Sequence, residues 1–371
     1  MKKKMIIYMS KLSIGGMEKV LVNLINQSNF TKNYDVTIYV LYSKEKQMLE
    51  ELQSKVNVKL LWHKEWSILG KLVCSIKMLI DLLKLKLTKN KFDVAICYPY
   101  QHQILSILTR NTSKNNIIFI HNNLKIRYGD KIKKHMKKLQ FDKFSKVVCV
   151  SNDALKCFRE LYPNYEGISV AINNYINGEE IIRLSNEQIT DNITFSKDKI
   201  TFINISRHEE KSKKISRIIE ASYRLKKENK KFQVILIGDG ENHQEYNELI
   251  SKYNLEKEIF LLGKKINPYA YLKQSDCLIM SSYYEGYGIV LDEARILNKP
   301  FISTDVADAK IIADEGYGIV CENSQDGVYQ GMKEYLEKGY KTNNKFDYQK
   351  FNSKITKSLD ELVKEKVKKW S

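Results

Sequence analysis

No D-x-D triplet occurs anywhere in this 371-residue chain, so a two-carboxylate metal clamp of that spacing is excluded. Neither a GxxxxGK[ST] phosphate loop nor a GxSxG nucleophile elbow is present. The six cysteines include no C-x-x-C pair, and the six histidines have no H-x-x-x-H or mixed His/Cys spacing, which argues against a zinc site. Several cysteines sit in apolar runs ("DVAICY", "KVVCVS", "DCLIMS") and read as buried free thiols of a reducing compartment. Long apolar runs are missing too. "MKKKMIIYMS" is basic and then apolar, but too short for a secretory signal and without a small-residue cleavage site after it, so it reads as a first strand. The longest apolar region, Trp66 to Leu87, is broken by Lys71, Lys77, Asp81, Lys84 and Lys86. Leu72, Ile76, Leu79 and Leu83 recur there at helical spacing, which predicts an amphipathic helix of the core rather than a membrane span.

What the chain does contain is a globular composition, 43% hydrophobic and 11% aromatic, with no low-complexity tract. Its length predicts two domains. A formal charge of +18 suits nucleic acid, an anionic membrane surface or anionic substrates, and does not choose among them.

Short β-branched or aromatic runs alternate with helical patterns almost throughout. In the first half they are "MIIYMS", "DVTIYVL", "VKLLW", "DVAICY", "IIFIH", "KVVCVS" and "ISVAIN". In the second half they are "ITFINIS", "QVILIG", "IFLLG", "DCLIMS", "FISTD" and "YGIVC". Near-continuous apolar strands separated by helices predict α/β domains with doubly wound parallel sheets. The pattern lapses into polar residues between Asn173 and Lys199. The expected division is residues 1–175, residues 176–345, and a helical segment 346–371 that packs back on the N-terminal domain. Ligands of such sheets bind beyond the carboxyl ends of the strands.

The hexapeptide "EGYGIV" occurs twice, at Glu285–Val290 and Glu315–Val320. The first copy follows a buried strand and runs into the helix-forming "LDEARILN". Gly286 and Gly288 there sit at a strand-to-helix turn, where backbone amides can approach an anion such as a pyrophosphate. Seven residues separate Glu285 from Glu293, and both carboxylates suit sugar hydroxyls. The second copy reads as a helix-to-strand turn, with Gly316 as the helix cap. The flanks differ, so a duplicated unit is rejected.

"SSYYEGYGIVLDEARILNKPFISTDV" resembles the signature of retaining glycosyltransferases of family 4, with its E-x7-E motif and the GT-B fold, two Rossmann-like domains facing a cleft. "LSIGGMEKVLVNLI", "IIFIHNN", "VVCVSNDALKCF", "VAINNYIN", "FINISRHEEKSKKISRIIEA" and "VILIGDGENHQEYNEL" are similar to other segments of the family, so the resemblance covers most of the chain. It implies a C-terminal donor domain and an N-terminal acceptor domain. Gly15 and Gly16 would lie near the donor's sugar and phosphate. His121 would contact the transferred sugar, with Asn122 where the family often has Asp or Gly. Arg207 and Lys213 would neutralise the leaving diphosphate; Ser206 replaces the family's usual glycine, and Lys211 and Lys214 compete with Lys213 for the lysine role. Glu285 would hold the sugar hydroxyls, the turn of Gly286, Tyr287, Gly288, Ile289 and Val290 the diphosphate, and Glu293 the ribose.

The expectation is a retaining, metal-independent glycosyltransferase without a cofactor. It would take a UDP- or GDP-linked sugar to a carbohydrate or lipid-linked acceptor, in the cytoplasm or on the inner face of the membrane. From Lys125 to Lys146 nine Lys/Arg face two Asp, which is either a solvated helix face or a patch for anionic lipid. Two other classes stay open. A basic nucleic-acid-binding protein would bind RNA or DNA with steep salt dependence, though no RRM, zinc or helix-turn-helix signature is seen. A glycoside hydrolase using Glu285 and Glu293 would cleave glycosides without any nucleotide.

Overall fold

The computed structural model describes residues 2–12, 16–28, 32–43, 46–62, 67–87, 92–98, 102–132, 137, 139–191, 193–342 and 345–364. The chain divides into two compact units, Met1–Ile176 with Lys350–Ser371, and Asn177–Gln349.

Among the described residues the first unit holds seven strands: β1 (Lys3–Leu12), β2 (Tyr34–Ser43), β3 (Asn57–Trp62), β4 (Val94–Cys97), β5 (Asn116–Ile120), β6 (Lys146–Cys149) and β7 (Ser169–Ala171). They pair in the order β3-β2-β1-β4-β5-β6-β7, all parallel. Alternate side chains of β1 enter opposite cores. Met5, Ile7 and Met9 join one, and Ile6 and Tyr8 the other. The period of two on a strand buried on both faces explains its unbroken apolar run.

The second unit holds β8 (Ile200–Ile205), β9 (Phe232–Ile237), β10 (Ile259–Gly263), β11 (Cys277–Met280), β12 (Phe301–Thr304) and β13 (Gly318–Cys321). Their order is β10-β9-β8-β11-β12-β13, again parallel. In each sheet the winding reverses once, between β1 and β4 in the first and between β8 and β11 in the second. In doubly wound sheets ligands bind at such reversals, beyond the carboxyl ends of the strands. All six cysteines are free thiols, and five are buried.

The helix Tyr348–Lys364 brings the end of the chain back to the first unit. Ile355, Leu359, Leu362 and Val363 enter the core that holds Met5 and Ile7. The Asn352 side chain both accepts from the Ile176 amide (3.1 Å) and donates to its carbonyl (2.7 Å).

One sequence expectation is overturned. Leu72, Ile76, Leu79 and Leu83, expected in the core, are 57, 51, 58 and 55% exposed on the helix Ile68–Leu87. The side turned to the sheet is instead Gly70, Cys74 and Met78. A Cβ at Gly70 would stand 2.7 Å from the Trp62 indole, and Cys74 Sγ donates to the Leu41 carbonyl at 3.4 Å. The helix is apolar on two sides, and the side with the smaller residues permits the close approach. Among the described residues no helix is long and apolar enough to cross a membrane.

The returning helix provides a stability test. Leu359 is 4% exposed. Leu359→Ala should cost about 2–4 kcal/mol in urea unfolding with an unchanged slope. A loss under 1 kcal/mol would mean that this helix does not contribute to the core as described.

Candidate active site

The second unit's reversal is flanked by two loops, one after β8 and one after β11. β8 ends at Ile205, and Ser206, Arg207 and His208 lead into a single helical turn, Glu210–Lys213. Lys214 closes that turn in the left-handed region (φ 50). β11 ends at Met280, and the loop 281–288 leads into the helix Ile289–Ile296.

The two loops are tied to each other. The Tyr283 amide donates to the Ser212 carbonyl at 2.8 Å, and Ser281 Oγ donates to the Lys213 carbonyl at 2.9 Å. Between them Lys213 Nζ stands 2.5 Å from Glu285 Oε1, with side chains only 18% and 14% exposed. Ser282 Oγ donates to the same carboxylate oxygen at 2.6 Å. Of the three competing lysines, Lys213 is the one that meets Glu285. Lys211 is exposed, and Lys214 lies 3.7 Å from Glu210. Arg207 is at the mouth of this loop, 76% exposed and 3.6 Å from Glu209.

Gly288 caps the following helix at φ 83, ψ 53, a conformation glycine adopts without cost. The first amides of the helix, those of Ile289 and Val290, have no partner within it and can face an anion. Tyr287 and Gly288 are buried, and Gly286 is partly exposed. Glu293, in the second turn, accepts from the Tyr269 hydroxyl at 2.9 Å. Helix-start amides, a lysine, an arginine and two acceptor carboxylates thus follow the carboxyl ends of β8 and β11.

The first unit brings its own candidates to its reversal. Gly16 opens the helix Gly16–Gln27 after β1, and Gly15 lies outside the described residues. His121 follows β5, and its Nε2 lies 2.8 Å from the Tyr98 carbonyl at the end of β4. A carbonyl only accepts, so Nε2 carries the proton and Nδ1 is left as the acceptor. Tyr98 (edge-on, 4.6 Å) and Phe119 (stacked, 6.1 Å) enclose the ring. Burial pushes the His121 pKa down to about 4, partly offset by the Tyr98 carbonyl, so the ring is neutral near pH 7. Of the basic segment, Lys125 pairs with Glu160 at 2.5 Å, while residues 133–136 and 138 lie outside the described residues.

Three residues at these strand ends were not singled out as site residues from the sequence. Glu18, which reads there as a helix-dipole residue, is only 3% exposed. Tyr269 is buried under Glu293. His208 is fully buried, with Nδ1 2.8 Å from His243 Nδ1 and the rings stacked at 4.9 Å. The β9 loop wraps this histidine. A Cβ at Gly238 (φ 150) would lie 1.8 Å from the Ser206 carbonyl oxygen. The one sequence signal was the "GDG" turn itself.

The second "EGYGIV" is not isolated from the first. Arg295, 3% exposed on the helix after the first copy, reaches Asp292 Oδ1 at 2.5 Å and Glu315 Oε2 at 3.1 Å. Its guanidinium lies over the Phe346 ring at 3.5 Å. Burial raises the Asp292 pKa above the usual carboxylate range, with Arg295 pulling it back.

Known proteins resemble the second unit in sequence and the whole chain in fold. Residues 185–353, a little under half of the chain, match the family described as "Glycosyl transferases group 1". An uncharacterized glycosyltransferase of Methanocaldococcus jannaschii is 31% identical over 167 residues, 44% of this chain and 41% of that protein. The Campylobacter jejuni "N-acetylgalactosamine-N,N'-diacetylbacillosaminyl-diphospho-undecaprenol 4-alpha-N-acetylgalactosaminyltransferase" is 30% identical over 131 residues, 34% of this chain and 35% of that one. The matches therefore span about two fifths or less of these relatives. Anabaena HepE, solved with UDP and glucose, superposes with a TM-score of 0.73 over 97% of this chain and 100% of its own, at 16% identity. The fold is that of the GT-B glycosyltransferases, two Rossmann-like α/β domains with parallel sheets of seven and six strands.

His208 gives the site a pH signature. Burial, with His243 beside it, lowers its pKa to about 4, against about 6.5 unfolded. Between these values the unfolded chain holds the extra proton. The stability conferred by neutral His208 is full above pH 6.5 and is lost as the pH falls towards 4, up to about 3 kcal/mol. His208→Asn should flatten the fall in unfolding free energy between pH 7 and 4.5. An unchanged slope would remove His208 as its source.

Proposed function

We propose that the protein is a retaining glycosyltransferase. It moves a sugar from a UDP- or GDP-linked donor to a carbohydrate or lipid-linked acceptor, in cell-surface polysaccharide or glycolipid synthesis. The observation that carries this reading is the Lys213–Glu285 pair at the winding reversal, in front of a helix opened by Gly288. A departing diphosphate needs fixed positive charge and amides, and a sugar needs paired acceptors. Lys213, Arg207 and the amides of Ile289 and Val290 fit the first need. Glu285 fits the second, and Glu293, held by Tyr269, fits a ribose.

In the reaction the bond between the anomeric carbon and the phosphate oxygen breaks, the acceptor hydroxyl oxygen bonds to that carbon on the same face, and the hydroxyl proton passes to the departing phosphate. As the diphosphate gains charge, Lys213 turns from Glu285 to the phosphate, and Glu285 is freed for the sugar. His121, neutral with Nδ1 as acceptor, is assigned to a hydroxyl of the transferred sugar, and Gly15 and Gly16 to its phosphate side. The basic segment Lys125–Lys146 would take the phosphates of a lipid-linked acceptor or headgroup. HepE is described with UDP, glucose and UDP-glucose, which makes uridine donors the first to test here.

The hydrolase alternative needs one carboxyl of the pair as proton donor. Glu285 is engaged as acceptor for Lys213 and Ser282, and Glu293 as acceptor for Tyr269, which favours the transferase.

A thermal-shift panel of nucleoside diphosphates and their sugars tests the donor site. One of them should raise Tm, and Lys213→Ala should cancel the rise. No shift with any at millimolar concentration would overturn the reading. With the donor so found, Glu285→Gln should lower kcat/KM tenfold to a hundredfold, equivalent to about 1.5–3 kcal/mol, at a temperature well below Tm. Glu315→Gln should leave kcat/KM within about threefold and lower Tm slightly, since its carboxylate is 53% exposed on Arg295. Equal losses in the two would mean that Glu285 does not meet the donor. Because the chain has no D-x-D and Lys213 and Arg207 supply the charge, turnover should survive excess EDTA. A strict need for Mg²⁺ or Mn²⁺ would refute that part.

A further inference from the structure

The outward face of the helix Ile68–Leu87 has no counterpart in the site just described. Leu69, Leu72, Ile76, Leu79, Ile80 and Leu83 are 61, 57, 51, 58, 44 and 55% exposed. At 3.6 residues per turn they fall, with Ile68, within an arc of about 120°. A solvated helix normally carries its polar residues there. The opposite arc, with Gly70, Cys74 and Met78, is fixed to the first unit.

The charges are distributed to match. Lys71 borders the apolar arc on one side and Lys84 on the other, both exposed, while Lys77 Nζ donates to the Leu61 carbonyl at 2.9 Å. The helix has a single carboxylate, Asp81, and it is turned inward. Lys59 donates to it at 2.8 Å and the Tyr39 hydroxyl at 2.6 Å. An apolar strip edged by lysines, with no exposed acid, is what the headgroup boundary of an anionic bilayer accommodates. Aliphatic side chains enter the acyl margin, and the lysines reach the phosphates. A second copy of the chain fits worse. Two such faces would bring lysine borders together on chains that each carry +18.

We propose that the helix Ile68–Leu87 is a membrane-docking element that lies flat in the interface of an anionic phospholipid bilayer. At about 30 Å it is long enough to lie along the surface as one rigid element. The docking helix belongs to the first unit and the donor loops to the second, and the two are read by different experiments, so the two proposals can fail separately.

The test is sedimentation of the full chain with phosphatidylcholine vesicles, with and without phosphatidylglycerol. Binding should need phosphatidylglycerol. The triple variant Leu72→Ser, Ile76→Ser, Leu79→Ser removes only exposed side chains, so Tm and any nucleotide-induced shift should persist. Its vesicle partition coefficient should fall by about a hundredfold. Lys71→Glu with Lys84→Glu should weaken binding by more than tenfold. As a second readout, Leu79→Trp should gain a blue-shifted emission component on adding anionic vesicles. The proposal is overturned if the triple variant binds as the parent does. It is also overturned if binding is lost only on reversing Lys133, Lys134, Lys137 and Lys138, or if the parent ignores vesicles and forms a dimer that the triple variant abolishes.

Discussion

The contact on which the candidate site depends is that between Lys213 and Glu285. Both side chains are largely removed from water, and a charge so placed is costly unless its partner is held in position. The backbone supplies that hold. Ser212 and Lys213 carbonyls accept from the loop after β11, and Ser282 adds a hydrogen bond to the carboxylate. Further out, the Arg217 guanidinium donates to Asn323 at 2.7 Å, and Asn323 donates to the Tyr283 carbonyl at 2.9 Å. The loops can hold this geometry because β8 and β11 are adjacent strands from which the chain winds in opposite directions.

Such a pair is a poor source of stability and a suitable device for a reaction. Its ionic attraction is offset by desolvation, so in the proposed reaction an incoming diphosphate would replace Glu285 as the partner of Lys213 at little net cost. The carboxylate released would then be available to a hydroxyl. Arg207 differs in kind. At 76% exposure its charge is screened, and it gains strength only when a ligand excludes water around it.

Most of the fold was legible because strands buried on both faces read as unbroken apolar runs. All seven strands of the first sheet and all six of the second coincide with runs picked out from the sequence. The glycine turn of the first "EGYGIV" was legible for a local reason, since φ 83 at Gly288 favours glycine. What escaped were the facts that depend on distant residues. Lys211, Lys213 and Lys214 are equivalent in composition, and only the turn that ends at Lys214 points Lys213 towards Glu285. Periodicity found the apolar stripe of the helix Ile68–Leu87, but the choice of buried face was made by the fit of Gly70 against Trp62. The burial of His208 follows from the path of the loop after β9, which a "GDG" triplet announces but does not trace.

The repeated hexapeptide shows how far identical residues can differ in use. Gly288 opens a helix in the left-handed region, and Gly316 (φ 90) ends one in the same region. Left-handed glycine favours both ends of a helix, and the neighbouring strands decide which end it is. Glu285 therefore lies inside the loop pair, on a lysine. Glu315 lies at the rim of a different turn, on the guanidinium that Asp292 and Phe346 hold. Arg295 makes the two copies parts of one arrangement. It fixes the far end of the helix whose near end Gly288 opens, so the second copy supports the position of the first without sharing its chemistry.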